Sequence, residues 1–278
     1  MTVTPLTAPD ILATKGQRKL TEITAYDYPT ALWVDESGAD MVLVGDSLAM
    51  VVLGREDTLC VTMEEMLHHT RIVSRTTQRA LVVADLPFMS YHVSIEQAVT
   101  NAGRLIQDGG ARAVKLEGGA RVLPQIRAIL DAQIPVQGHL GLTPQSAAAF
   151  GGFKVQGKTA SAAQKIIDEA KALADAGCFS IVLEGIPAPI AELVTQAVSI
   201  PTIGIGAGPQ CDGQVLVIHD ILGMFDRFTP KFVKHYANFS SLAKAALTSF
   251  RQDVEQGAFP DQSHEFSIKK EELQKLVG

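Results

Sequence analysis

Short runs of β-branched and aliphatic residues recur along this chain at intervals that leave room for a helix between them, and this alternation constrains the fold more than any other feature. Strands separated by helices pair in parallel, because a parallel neighbour can be reached only through a crossover. Eight runs fit the pattern: Glu22–Ala25, Met41–Val44, Leu81–Ala84, Ala113–Leu116, Val136–His139, Ile181–Leu183, Thr202–Ile205 and Val215–Ile218. Helical stretches lie between several of them, at Thr62–Gln78, Ser94–Asp108, Ala160–Ala176 and Pro189–Ala197. Several open at a Ser or Thr cap, and Gly110 and Gly177 stand where helix-ending glycines belong.

A doubly wound open sheet would show the same alternation, so periodicity alone does not choose between sheet and barrel. The G-x-G-x-x-G fingerprint of dinucleotide binding is absent after the first strand. Gly204-Ile205-Gly206-Ala207-Gly208 instead follows the seventh, where many barrels bind anionic groups. Eight strands is also the number that closes a barrel. The expectation is an α/β chain: a (β/α)8 TIM barrel forming one domain over residues 1–278, with extra C-terminal helices from about residue 230. The stretch Pro230–Gln256 reads as helix, and the tail from Asp261 onward is polar.

Composition narrows the function classes. With 46% apolar and 19% charged residues the chain lies in the globular range. Its net charge of -6, with both signs interleaved, offers no basic face to nucleic acid. Cys60, Cys178 and Cys211 are an odd number without C-x-x-C spacing, which argues against a disulfide framework and a zinc knuckle. The stretch Met1–Leu12 does not read as a signal peptide, and later apolar runs are too short to span a membrane. A soluble cytoplasmic protein with no nucleic-acid or membrane partner is expected.

Polar residues punctuate the strand ends in a way core packing does not require. Asp46 and Ser47 follow the second strand, Asp85 the third, and Lys115 and Glu117 lie in the fourth; His139 ends the fifth, and Glu184 follows the sixth. In a barrel the C-terminal ends of all strands ring one mouth, so these residues would converge on one pocket. Asp46 and Asp85 suit a hard divalent cation, with Glu117 as a third acidic group. Either Asp could instead cap the helix after its strand; both together with Glu117 favour metal. Lys115 and Glu117 alternate with Val114 and Leu116, so both face the barrel interior. Two readings stand for that pair, an active-site role or a structural ion pair between strands. His139 sits between Gly138 and Gly141, which lets the backbone pack tightly and leaves the imidazole open to a ligand. Glu184 is the candidate general base, or a cap for the following turn.

The segment Phe150–Thr159 resembles a nucleotide loop only superficially, and we read it as a mobile glycine-rich lid over the mouth.

Seven ordered motifs then point to one family. They are Thr24-Ala25-Tyr26-Asp27-Tyr28, Val44-Gly45-Asp46-Ser47-Leu48, Val83 to Tyr91, Val114-Lys115-Leu116-Glu117-Gly118, Gly138-His139-Leu140-Gly141, Phe153 to Lys158, and Ile203 to Gly208. From about Thr24 to His264 the chain resembles ketopantoate hydroxymethyltransferases. Ala49 and Cys60 depart from the pattern, where Gly and Pro are expected, and bear on loop shape. The resemblance implies transfer of a one-carbon unit from 5,10-methylenetetrahydrofolate to 3-methyl-2-oxobutanoate, with Mg2+ assisting enolisation. It implies Asp46, Asp85 and Glu117 at the metal. Asp46, Ser47, Asp85, Lys115 and His139 would hold the 2-oxo acid, and Glu184 would take the proton. It also implies a large homo-oligomer, a decamer, in which the C-terminal helix exchanges between neighbours. A phosphoenolpyruvate mutase or isocitrate lyase type of Mg-dependent enzyme acting on another 2-oxo acid is the alternative, and a non-catalytic binding protein on an inherited barrel is a third reading.

Overall fold

The computed structural model describes residues 4–146 and 154–277. Eight parallel strands close on themselves in sequence order: β1 (Leu20–Thr24), β2 (Met41–Val44), β3 (Leu81–Asp85), β4 (Ala113–Glu117), β5 (Val136–Gly141), β6 (Ser180–Glu184), β7 (Thr202–Ile205) and β8 (Gly213–Leu216), with β8 returning to pair with β1. The barrel expectation holds. The eighth strand begins two residues earlier than its apolar run, because the ladder pairs Leu20 with Gly213 and Thr21 with Gln214, and neither Gly213 nor Gln214 carries a strand signal.

Helix starts follow local chemistry. Thr62 accepts the backbone N–H of Glu65, whose carboxylate returns to the Thr62 N–H, so a capping box opens the helix Met63–Thr76. Ser94 and Thr159 likewise accept a backbone N–H at the starts of Ile95–Gln107 and Ala160–Ala176, and Gly177 ends the latter in the left-handed conformation, at φ 106°. The periodic pattern passed over shorter helices at Ala8–Leu12, Tyr28–Glu36, Leu48–Val51, Leu123–Asp131 and Ile218–Ile221, and the terminal Lys270–Val277.

One boundary needs correcting. The helix expected over Pro230–Gln256 begins only at Phe239 and runs to Glu255. The residues before it return toward the barrel, where the backbone N–H groups of Tyr236 and Phe239 donate to the carbonyls of Ile221 and Leu222. Phe228, Pro230, Lys231 and Phe232 there line the barrel mouth. Among the described residues, no helix is long and apolar enough to cross a membrane.

The barrel interior is layered. Its closed end is apolar: Leu20, Leu81, Ala113 and Phe179 pack with Ala8 and Ile11 of the first helix, which plugs the bottom. Above them lies a small polar layer, where Gln137 Nε2 donates to Glu22 Oε2 at 3.2 Å and to Ser180 Oγ at 3.0 Å. Burial pushes the Glu22 carboxyl up to about 7, against the hydrogen bond from Gln137. Above that layer come the charged residues of the mouth. A second apolar core, outside the barrel wall, packs the outward strand residues such as Val42, Val114 and Leu183 against the helices.

Candidate active site

Register determines which charges meet. Asp85 and Lys115 are direct partners across β3 and β4, and Lys115 Nζ lies 2.5 Å from Asp85 Oδ1. Glu117 and His139 are partners across β4 and β5, and Glu184 ends β6 opposite Gly141. The imidazole lies between two carboxylates, Nδ1 3.5 Å from Glu117 Oε1 and Nε2 3.2 Å from Glu184 Oε2. Neither contact is aligned as a hydrogen bond, so the attraction is one of charge. Gly141 is required here: its φ is 96°, and a Cβ would collide with the Glu184 carbonyl oxygen.

The ion pair of Lys115 is therefore with Asp85, across strands, and Glu117 turns toward His139. Neither aspartate caps a helix. Asp85 Oδ2 accepts the backbone N–H of Asp46 at 3.1 Å, and Ser47, which precedes the short helix Leu48–Val51, makes no capping bond. Glu184 likewise caps nothing, since Pro187 stands at the start of the next helix. His139, expected to be open to a ligand, is only 2% exposed and meets the pocket from within the wall.

Three further residues complete the network, and the sequence offered no role for them. Gln145 donates from its side chain to Asp46 Oδ2 at 2.9 Å and from its backbone to Glu117 Oε2 at 2.9 Å. Tyr91 donates to Gln145 Oε1 at 2.7 Å, and the Tyr26 hydroxyl shares a 2.7 Å hydrogen bond with Ser47. Gln145 comes from the turn after β5 and Tyr91 from the turn after β3. Tyr26 and Tyr91 stood inside the motifs already singled out; nothing in the pattern marked Gln145.

The electrostatics are those of a site short of positive charge. Asp46, Asp85, Lys115, Glu117 and His139 are each 5% exposed or less. Burial, then the charges of Asp85 and Glu117, hold the Asp46 carboxyl well above its ordinary range. Burial also raises Asp85, against the pull of Lys115. Lys115 overcomes its own burial because Asp85, Glu117 and Asp46 surround it, so it stays a cation. Burial and Lys115 work against protonated His139, but Glu117 and Glu184 prevail and raise it to about 9. Three buried carboxylates face one lysine and one imidazolium, with Glu184 beside them.

That excess of anionic oxygen suits a divalent cation. Among the described residues no three His, Cys, Asp or Glu side chains form a ready-made cage. Magnesium does not need one, because it takes one or two carboxylates and completes its shell with water and substrate oxygens.

Asp46, Ser47, Asp85, Lys115, Glu117, His139 and Glu184 open into one cavity of about 690 Å3, large enough for more than a small 2-oxo acid, with Gln145, Tyr91 and Tyr26 behind them. Its other side is apolar and aromatic, built by Leu216, Phe225, Phe228 and Phe232. Part of the lid expected at Phe150–Thr159 lies outside the described residues. Of the rest, Val155 lines the cavity and Lys158 is exposed. The letters Gly152 to Thr159 do fit the spacing G-x-x-x-x-G-K-[ST], so spacing does not exclude a phosphate loop; context does. Strand β5 ends at Gly141, well upstream, and Thr159 Oγ1 is engaged in capping Ala160–Ala176.

Comparison with known proteins agrees with this geometry. Residues 5–262 match the family model described as ketopantoate hydroxymethyltransferase. The chain is 64% identical over 273 residues, 98% of its length and 97% of the relative's, to 3-methyl-2-oxobutanoate hydroxymethyltransferase of Syntrophobacter fumaroxidans. It is 60% identical over 264 residues, 95% and 96% of the two lengths, to the protein of that name from Clostridium beijerinckii. Among solved structures it is similar to 2,3-dimethylmalate lyase of the PEP mutase/isocitrate lyase superfamily, with a TM-score of 0.57 and 16% identity over 99% of this chain and 96% of that one. The last likeness speaks for the fold alone.

Proposed function

The chain belongs to the ketopantoate hydroxymethyltransferase family, and from that premise we propose that it transfers a hydroxymethyl group from 5,10-methylenetetrahydrofolate to 3-methyl-2-oxobutanoate, giving 2-dehydropantoate in pantothenate biosynthesis. The observation that carries this reading is the convergence of Asp46, Asp85, Lys115, Glu117, His139 and Glu184 on one cavity.

Asp46 and Asp85 would hold Mg2+, with Glu117 beside it, and the ion would supply Lewis acidity for enolisation of the oxo acid. Ser47, fixed by Tyr26, binds the substrate carboxylate from the start of the short helix after β2. Lys115 sets a permanent positive charge beside the oxygen on which negative charge develops, a preorganised arrangement that costs no reorganisation during the reaction. Glu184 Oε2 takes the C3 proton. His139, a cation below about pH 9, sits between Glu184 and Glu117 and orients both. Water adds to the methylene carbon of the folate and both of its bonds to folate nitrogen break, leaving a one-carbon unit at the oxidation level of formaldehyde; the enolate carbon bonds to that carbon and its oxygen takes up a proton. The hydroxyl oxygen thus comes from that water, and tetrahydrofolate leaves with a hydrogen on each of the two nitrogens. The apolar side of the cavity keeps bulk water from the enolate.

The C-terminal arm supports an assembled form. The helix Phe239–Glu255 has no buried residue and exposes Leu242, Leu247, Phe250 and Val254, an apolar face left uncovered by the described residues. We read it as the element that docks on a second copy in a homo-oligomer, a decamer, working in the cytoplasm. Truncation after Pro230 is expected to lower the mass measured by light scattering; a full-length protein that is already monomeric sinks this part of the reading.

Incubation with 3-methyl-2-oxobutanoate, methylenetetrahydrofolate and Mg2+ should yield 2-dehydropantoate. Absence of product, with the barrel folded, overturns the assignment.

A further inference from the structure

The charged half of the cavity accounts for an oxo acid and leaves the other half without a ligand. That half lies at the ends of β7 and β8 and under the segment that returns over the mouth, and it contains one carboxylate, Asp220. Asp220 sits in the short helix Ile218–Ile221 directly after β8 and is 9% exposed. Its side chain has no hydrogen-bond or ion-pair partner within the described residues, whereas the other cavity carboxylates all face a cation or a donor. Burial raises its pKa, against the pull of His235. Phe225, Phe228 and Phe232 line the same half of the cavity.

The Asp220 carboxylate oxygens are not among the fully buried unpartnered atoms, so they meet the solvent of the cavity, and a ligand that displaces this water has to supply the donors in its place. A carboxylate beside phenyl rings matches a flat heteroaromatic ring carrying two parallel N–H donors on one edge. The rings contribute stacking and the carboxylate accepts both hydrogens side by side. Folate has such an edge in the 2-amino group and N3–H of its pterin.

We propose that Asp220 is the pterin-recognising residue, accepting the 2-amino and N3 hydrogens while Phe225, Phe228 and Phe232 form the seat of the ring. The proposal rests on the folate-dependent reading above and adds to it where the cosubstrate binds. It places the two substrates on opposite sides of one mouth, the oxo acid toward β2 to β6 and the pterin toward β7 and β8.

The test is a two-by-two comparison by calorimetry on the full chain, wild type and Asp220→Asn, each with tetrahydrofolate and with its analogue carrying hydrogen in place of the 2-amino group. Wild type should prefer tetrahydrofolate by roughly 10- to 100-fold, as loss of a charge-assisted hydrogen bond predicts. Asp220→Asn should lose most of that preference. Retention of the wild-type preference in Asp220→Asn, or an equal loss for both ligands, overturns the proposal. Phe228→Ala removes a residue that is 68% exposed, so the fold should tolerate it, and it should weaken both ligands together. If Asp220→Asn does not fold, unchanged affinities in Phe228→Ala overturn the proposal in its place. If the wild type binds neither ligand and forms no 2-dehydropantoate, the folate reading itself has failed, an outcome distinct from the failure of Asp220.

Discussion

The two ends of the barrel are built from the same eight strands and do opposite work. At the closed end the inward residues are Leu20, Leu81 and Ala113, packed on Phe179 and sealed by Ile11. Two to four residues further along β3 and β4 the inward residues are Asp85, Lys115 and Glu117, and His139 joins them from β5. The period-2 alternation that buries leucine at one end thus buries charge at the other. One end removes apolar surface from water, and the other concentrates carboxylates that are unfavourable to bury until a cation and a substrate arrive. Stability and chemistry are therefore separable by position along a strand, and substitutions at each end should move different observables.

The largest separation is expected from Asp85→Ala. It removes a carboxylate from the proposed metal site while leaving the closed end intact, so Mg2+-dependent binding of 3-methyl-2-oxobutanoate should vanish by calorimetry with the fold retained. Unchanged binding would take Asp85 out of the metal site.

Phe179→Ala tests the other end. Deleting a buried ring there should cost about 3–5 kcal/mol of stability, read as a lower Tm, while kcat/KM at a temperature below the transition stays within about twofold. A large fall in kcat/KM with little change in Tm would break the division of labour.

Glu22 lies between the two ends and should behave as part of the structural half. Its carboxyl titrates near 7 in the folded chain against an ordinary value of 4.5, so the unfolded state ionises first as pH rises. Stability contributed by the protonated form is full below about 4.5 and is lost progressively up to about 7. Glu22→Gln cannot ionise. Wild type should therefore lose stability relative to Glu22→Gln over that window, by on the order of 3 kcal/mol. Parallel stability curves for the two proteins would mean that Glu22 does not titrate there.

Much of this division was legible in the sequence, for a physical reason. A strand end is where a barrel places its chemistry, so a carboxylate directly after an apolar run is informative without coordinates, and Asp46, Asp85 and Glu184 were found that way. Pairing was not legible, because partners depend on register: Lys115 joins Asp85 only because β3 and β4 align those residues. Loop residues were hidden for the same reason, and nothing local marks Gln145 as the group that joins Asp46 to Glu117. The late start of the helix at Phe239 shows the reverse error. Phe232 lies within the stretch read as helix, but the pocket uses it, so the chain there follows the mouth instead of coiling.

In the proposed reaction Glu184 removes the C3 proton of the oxo acid before any one-carbon unit is delivered. Proton NMR in deuterated buffer, with the full-length protein, 3-methyl-2-oxobutanoate and Mg2+ but no folate, follows that step alone. Wild type should exchange the C3 proton for deuterium, and Glu184→Gln, which keeps the shape without the base, should slow exchange by roughly a hundred- to ten-thousandfold. Exchange at the wild-type rate in Glu184→Gln would contradict the account and move the proton transfer to another group, with His139, 3.2 Å away, the first to examine.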